Sequence, residues 1–103
     1  MFKKYRLLST FFVIPLAFAD DSKEVRALKK DMPADVVVMI ERIVECNRWL
    51  GDDSSNKERA EKINKALEKF GCSVIEQDQN DLLKHYANNY EVKLRLQKAR
   101  EIF

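Results

Sequence analysis

The sequence predicts an all-α fold: a small orthogonal or irregular bundle of about four helices, over 33–50, 56–70, 79–87 and 90–102, tied by one disulfide. Three observations lead there. Apolar side chains recur at three- and four-residue spacing, and no stretch alternates with period two for long enough to make a strand. Beyond residue 19 the strong breakers are Pro33, Gly51 and Gly71, and each falls where a helix starts or stops. The chain holds two cysteines, Cys46 and Cys72, on either side of a helix-loop-helix stretch.

Residues 1–19 read as a cleaved secretory leader. Lys3, Lys4 and Arg6 make a basic start, Leu7 to Phe18 is apolar apart from Ser9 and Thr10, and Ala17 and Ala19 place small residues at the −3 and −1 positions of a cut after Ala19. A membrane anchor is the competing reading, but the apolar run of about 12 residues falls short of the roughly 20 that span a bilayer. Export places the protein in the periplasm or outside the cell, where disulfides persist, so a Cys46–Cys72 bridge is expected. Free thiols or an intermolecular bridge are the alternatives. Cleavage also removes three of the 19 basic residues and none of the 17 acidic ones. The remainder is close to neutral and gives no general case for nucleic-acid binding.

Residues 20–31 are expected as a charged, flexible segment or a frayed helix. Asp21 and Glu24 have capping-box spacing, but Val25 and Leu28 alone bury little surface. The single helical domain is placed at 32–103, and a chain this small profits from a covalent staple. Its first firm helix begins near Pro33, a residue suited to a first turn. Val36, Met39, Ile40, Ile43, Asn47 and Leu50 gather on one face, with Cys46 at the edge and Glu41, Arg42, Glu45 and Arg48 on the other side. Gly51 closes it.

Ser55 and Glu58 have capping-box spacing for the second helix, which carries Ala60, Ile63, Leu67 and Phe70 and stops at Gly71. Residues 72–78 read as a non-helical link, although Ser73 with Glu76 or Asp78 with Asp81 could cap a helix. A third helix carries Leu82, Leu83 and Tyr86, and Asn88-Asn89 make a turn. The last helix lines Val92, Leu96, Ala99 and Phe103 on one face.

The bridge constrains the loop. In a tight hairpin Cys46 and Cys72 would lie about 16 Å apart along the axis, against the roughly 7 Å between Cα atoms that a disulfide tolerates. The 51–55 loop is therefore expected to be extended and exposed, a span of up to about 17 Å.

Candidate chemistry is sparse. His85 is the single histidine, with Asp78 and Asp81 two turns and one turn before it, and reads as a surface residue. Two cysteines and one histidine do not make a four-ligand metal set, and Asp52-Asp53-Ser54-Ser55-Asn56 lacks the ligand pattern of a calcium loop. No catalytic residue, metal or cofactor is assigned, and an enzyme is not expected. Trp49 projects off the apolar face on the azimuth of Val38. It is either covered by the N-terminal segment or the last helix, or free to anchor a partner together with Asp52, Asp53 and Ser54. Lys93, Arg95, Lys98 and Arg100 make the last helix basic. They form a solvated face or a contact with an acidic partner or anionic membrane. The expected function is an exported interaction protein that binds and blocks a protein partner, as an immunity protein or inhibitor does. The alternatives are a periplasmic stress chaperone and a small helical subunit of an envelope complex.

Overall fold

A computed structural model describes residues 22–102. The expected leader, the Asp21 cap and Phe103 lie outside the described residues. Within them the chain is all helical, with α1 at Lys23–Lys29, α2 at Ala34–Leu50, α3 at Lys57–Lys69, a 3₁₀ turn at Cys72–Val74, α4 at Ile75–His85 and α5 at Tyr90–Arg100. Five helices replace the expected four, and the bridge joins Cys46 to Cys72 with Cα atoms 5.7 Å apart.

The central element is α2, which touches α1, α3, α4 and α5. Val36, Met39, Ile40 and Ile43 form the core face that the periodicity predicts, and Val44 joins them. The stripe is wider than a one-sided helix needs because neighbours flank α2 on several sides. Val92, Leu96 and Ala99 of α5, all fully buried, complete the core with Val25 and Leu28. Leu82 and Leu83 of α4, and Tyr86 just after it, pack on its margin.

The segment expected to be loose is α1, and it is a core element. Val25 is 1 % exposed and Leu28 7 %. Ser22 accepts a hydrogen bond from the Val25 amide and caps the helix. At the other end Arg95 of α5 donates to the carbonyls of Ala27, Leu28 and Lys30. A seven-residue helix is unstable alone; tertiary burial and this guanidinium cap hold it. Asp31 then adopts a left-handed conformation (φ 59°), which aspartate tolerates, and turns the chain into Pro33 and α2.

The same device recurs at other helix ends, which leave orphan carbonyls. Arg42 of α2 donates from Nε to the Phe70 carbonyl and from Nη2 to the Gly71 carbonyl and to Asp78 of α4. Asn47 donates to the carbonyls of Arg100, the last residue of α5, and of Ile102 just beyond it. Arg100 in turn donates to Gln79, a buried polar side chain of α4. Gly71 has φ 62°, the left-handed conformation that ends α3.

Three expectations are corrected. Residues 72–78 are helical, the 3₁₀ turn running straight into α4 without a side-chain cap. The α3 cap is Asn56, which accepts from the Arg59 amide, because the Ser55 hydroxyl is taken by Asp53. Leu50 is 64 % exposed although the wheel puts it on the core face. Asn47, one turn earlier, already meets the end of α5, so no helix stands opposite Leu50. Glu45 shows the reverse: it is buried, and Arg48 donates to it at 3.0 Å.

Candidate protein-binding corner

The end of α2 and the loop into α3 form a corner built from consecutive residues. Gly51 and Asp52 still donate backwards, to the carbonyls of Asn47 and Trp49, so the helix unwinds gradually. Residues 53–55 are then irregular and exposed, so the open stretch expected over 51–55 is met only in its last three residues.

Trp49 is half-buried. The Arg48 guanidinium lies 5.3 Å from the ring centroid and that of Arg59 5.2 Å. Both are cation–π contacts, in which the ring quadrupole attracts the cation. Arg59 also forms an ion pair with Asp52. Its main-chain amide is held by Asn56. One residue of α3 thus joins the cap of its own helix, the loop carboxylate and the tryptophan.

The loop is fixed by its own side chains. Asp52 accepts from the Asp53 amide at 2.8 Å, and Asp53 accepts from the amide and hydroxyl of Ser55 at 3.0 and 3.2 Å. The hydrogen bond from Arg59, with that from the Asp53 amide, lowers the Asp52 carboxyl below its ordinary value of 3.8, and partial desolvation opposes the shift. Asp52 is therefore ionised at neutral pH and keeps Arg59 over the ring. Ser54 is exposed in the middle of the loop. Beside it, Asp52, Asp53, Glu58, Arg59, Lys62 and Lys65 border an open trough of about 680 Å³ with both signs of charge.

The structure brings Trp49, Asp52 and Asp53 together as expected from their proximity in sequence. The loop pairing and the two guanidiniums were not anticipated. Arg48 adjoins Trp49 in the chain and could have been noticed; Arg59 depends on the path of the loop. The corner also has one exposed apolar side chain, Leu50.

The remaining candidates sit elsewhere. His85 is exposed and sets its ring edge-on to Tyr86, with centroids 4.9 Å apart. Asp81 accepts from Gln77, and Asp78 pairs with Arg42. Tyr86 donates to Asp35 at 2.8 Å, and this bond raises the phenol above its ordinary 10.0. In the basic last helix Arg95 and Arg100 are engaged in the internal bonds described above, while Lys93 and Lys98 are exposed. Among the described residues no group of three His, Cys, Asp or Glu could hold a metal ion, and no helix is long and apolar enough to cross a membrane. Comparison with protein-family models, curated proteins and solved structures gives no match.

Proposed function

We propose that this is an exported protein-binding domain that engages and blocks a protein partner through the α2–α3 corner, acting by binding and not by catalysis. The observation that carries the reading is Leu50, 64 % exposed beside a tryptophan braced by two arginines. Such an apolar anchor on a rigid frame loses little conformational entropy on docking. The self-bonded loop with Asp52 and Asp53 supplies a polar rim of the kind that orients a partner. The partner would offer an apolar pocket for Leu50 and the Trp49 edge, rimmed by groups that pair with the loop. Export rests on the residue 1–19 pattern and is supported by the bridge.

The binding reading is tested by immobilising the protein recovered from the source cell envelope and comparing wild type with Leu50→Asp and Trp49→Ala. The expected result is one discrete partner retained by wild type and lost at least tenfold in Leu50→Asp, the scale of an anchor residue worth more than about 1.4 kcal/mol. Equal retention by all three proteins would overturn it. Export is tested by the intact mass of the recovered chain, which is expected to begin at Asp20; an uncut chain in the cytoplasmic fraction would contradict it.

A further inference from the structure

We propose that the Cys46–Cys72 bond is a reductant-sensitive latch on α3: thiol–disulfide exchange at Cys72 releases residues 51–71 from α2 and takes apart the Trp49 cluster, while the other helices stay folded. The proposal rests on the protein-binding reading and names the regulation of that corner.

The first support is where the core ends. The main cluster runs through α1, α2 and α5, with α4 packed on it, and no residue between Val44 and Ile75 belongs to it. Within α3 the one buried side chain is Ile63; Ala60, Ala66 and Leu67 are half-covered and the rest exposed. An element with so little buried surface opens locally at low cost, independently of the core.

The second support is how α3 is held. Its N-terminal side follows a loop whose side chains bond within the loop and to Arg59, and whose main chain donates to α2 only through Gly51 and Asp52 at its start. Its C-terminal side is fixed to α2 by the Cys46–Cys72 bond and by Arg42 on the Phe70 and Gly71 carbonyls. These fastenings sit together at residues 70–72, with Gly71 in its left-handed conformation between Phe70 and Cys72. The chain 51–71 is thus an arm closed at its far end by one covalent bond and the Arg42 cap beside it. Because Arg59 rides on that arm, the Trp49 environment follows it.

The third support is chemical access. Cys46 is 2 % exposed, whereas Cys72 is half-exposed at the start of the 3₁₀ turn. The reductant class is a dithiol. Its first thiolate attacks the Cys72 sulfur, the Cys46–Cys72 bond breaks, and Cys46 leaves as a thiolate that takes up a proton. The second thiol of the reductant then attacks its own sulfur in the mixed disulfide, closing the reductant's disulfide and releasing Cys72 as a thiol. Two electrons pass from the dithiol to the bridge, and two thiols replace it.

The test is hydrogen exchange by mass spectrometry on the whole recovered chain, oxidised and in excess dithiothreitol, with the free thiols counted by alkylation. Trp49 emission is followed in parallel. Cys46→Ala/Cys72→Ala is the second sample. The expected result is that amides in 51–71 exchange at least about tenfold faster after reduction, while those in 36–44 and 92–99 change less than about threefold. Unchanged protection in 51–71 overturns the proposal, as does loss of protection throughout the chain or a bridge that dithiothreitol does not reduce in the folded protein. No readout requires the partner, so failure here leaves the docking reading standing, and a silent Leu50→Asp substitution leaves the latch standing.

Discussion

Arg42→Met removes the guanidinium that closes the end of α3 and keeps most of the aliphatic stem. Three bonds go: Nε to the Phe70 carbonyl at 2.8 Å, and Nη2 to the Gly71 carbonyl at 3.1 Å and to Asp78 at 3.0 Å. Hydrogen bonds to a charged group contribute about 1.5–3 kcal/mol each. The Asp78 side chain is 39 % exposed, so solvent screening brings that pair to about 0–1 kcal/mol. Water can satisfy part of what the carbonyls lose. The expected cost is about 2–4 kcal/mol, a large share of a small domain's stability. Gly71→Ala probes the same contact from the other side. A Cβ there would meet Arg42 Nη2 at 2.8 Å and hold a left-handed φ of 62°. The backbone strain costs about 1–2 kcal/mol, and the displaced guanidinium adds to it. In the Arg42→Met background only the strain remains, so the double variant should cost at least about 1 kcal/mol less than the two single costs combined. Urea unfolding followed by far-UV circular dichroism on the oxidised protein measures all four proteins. Additivity within about 0.5 kcal/mol would refute the shared contact. An Arg42→Met cost below about 1 kcal/mol would refute its role as the cap.

Val25→Ala should destabilise the domain by about 2 kcal/mol through lost burial and a cavity, measured by the same unfolding experiment; a cost near zero would mean that α1 is a tail. The Asp52–Arg59 pair should persist on acidification until pH falls below 3.8. A lowered folded pKa gives stability that is complete above the unfolded value and is lost as pH falls through the folded one. Trp49 emission should therefore hold steady from pH 7 to about 4 and change only below; a transition near pH 6 would contradict the assignment. Tyr86 carries the opposite sign. Its bond to Asp35 contributes fully below pH 10.0 and is lost as pH rises through the raised folded value. A phenolate absorbance titration should show Tyr86 ionising later than in Asp35→Ala, and superimposable curves would count against that bond.

Much of the architecture was legible because it is local. The three- and four-residue spacing in 34–50 and 90–100 fixed two helices and most of the core, and Gly51 and Gly71 marked real ends. The bridge followed from two cysteines behind a leader pattern, and the irregular stretch 53–55 from residue counting, whereas Gly51 and Asp52, expected in the extended loop, still turn back onto α2. What escaped was set by distant contacts. In α1 the two apolar residues looked too few, yet Arg95, some 65 residues later, caps the helix and α5 covers Val25 and Leu28. Capping spacings misled where a hydroxyl had a better partner: Asp53 takes Ser55, which leaves the cap to Asn56. The start of α4 carries no side-chain cap at all, because the 3₁₀ turn after Gly71 hands the chain on directly. At the corner, Trp49 and its acidic loop could be picked out by residue type and proximity. The placement of Arg59 over the ring could not, since it depends on where the disulfide lets α3 lie.

The central claim is that a partner docks on the α2–α3 corner, and site-specific photo-crosslinking in the source cell tests it most directly. One chain carries a photo-reactive phenylalanine in place of Ser54, which is exposed in the loop. The control carries it in place of Asn88, which follows Tyr86 near Asp35 at the opposite end of α2. A helix of 17 residues, about 25 Å long, separates the two ends. Docking at the corner predicts one discrete adduct from position 54 that Leu50→Asp abolishes, with none from position 88. No adduct at position 54, or the same adducts from both positions, would contradict it.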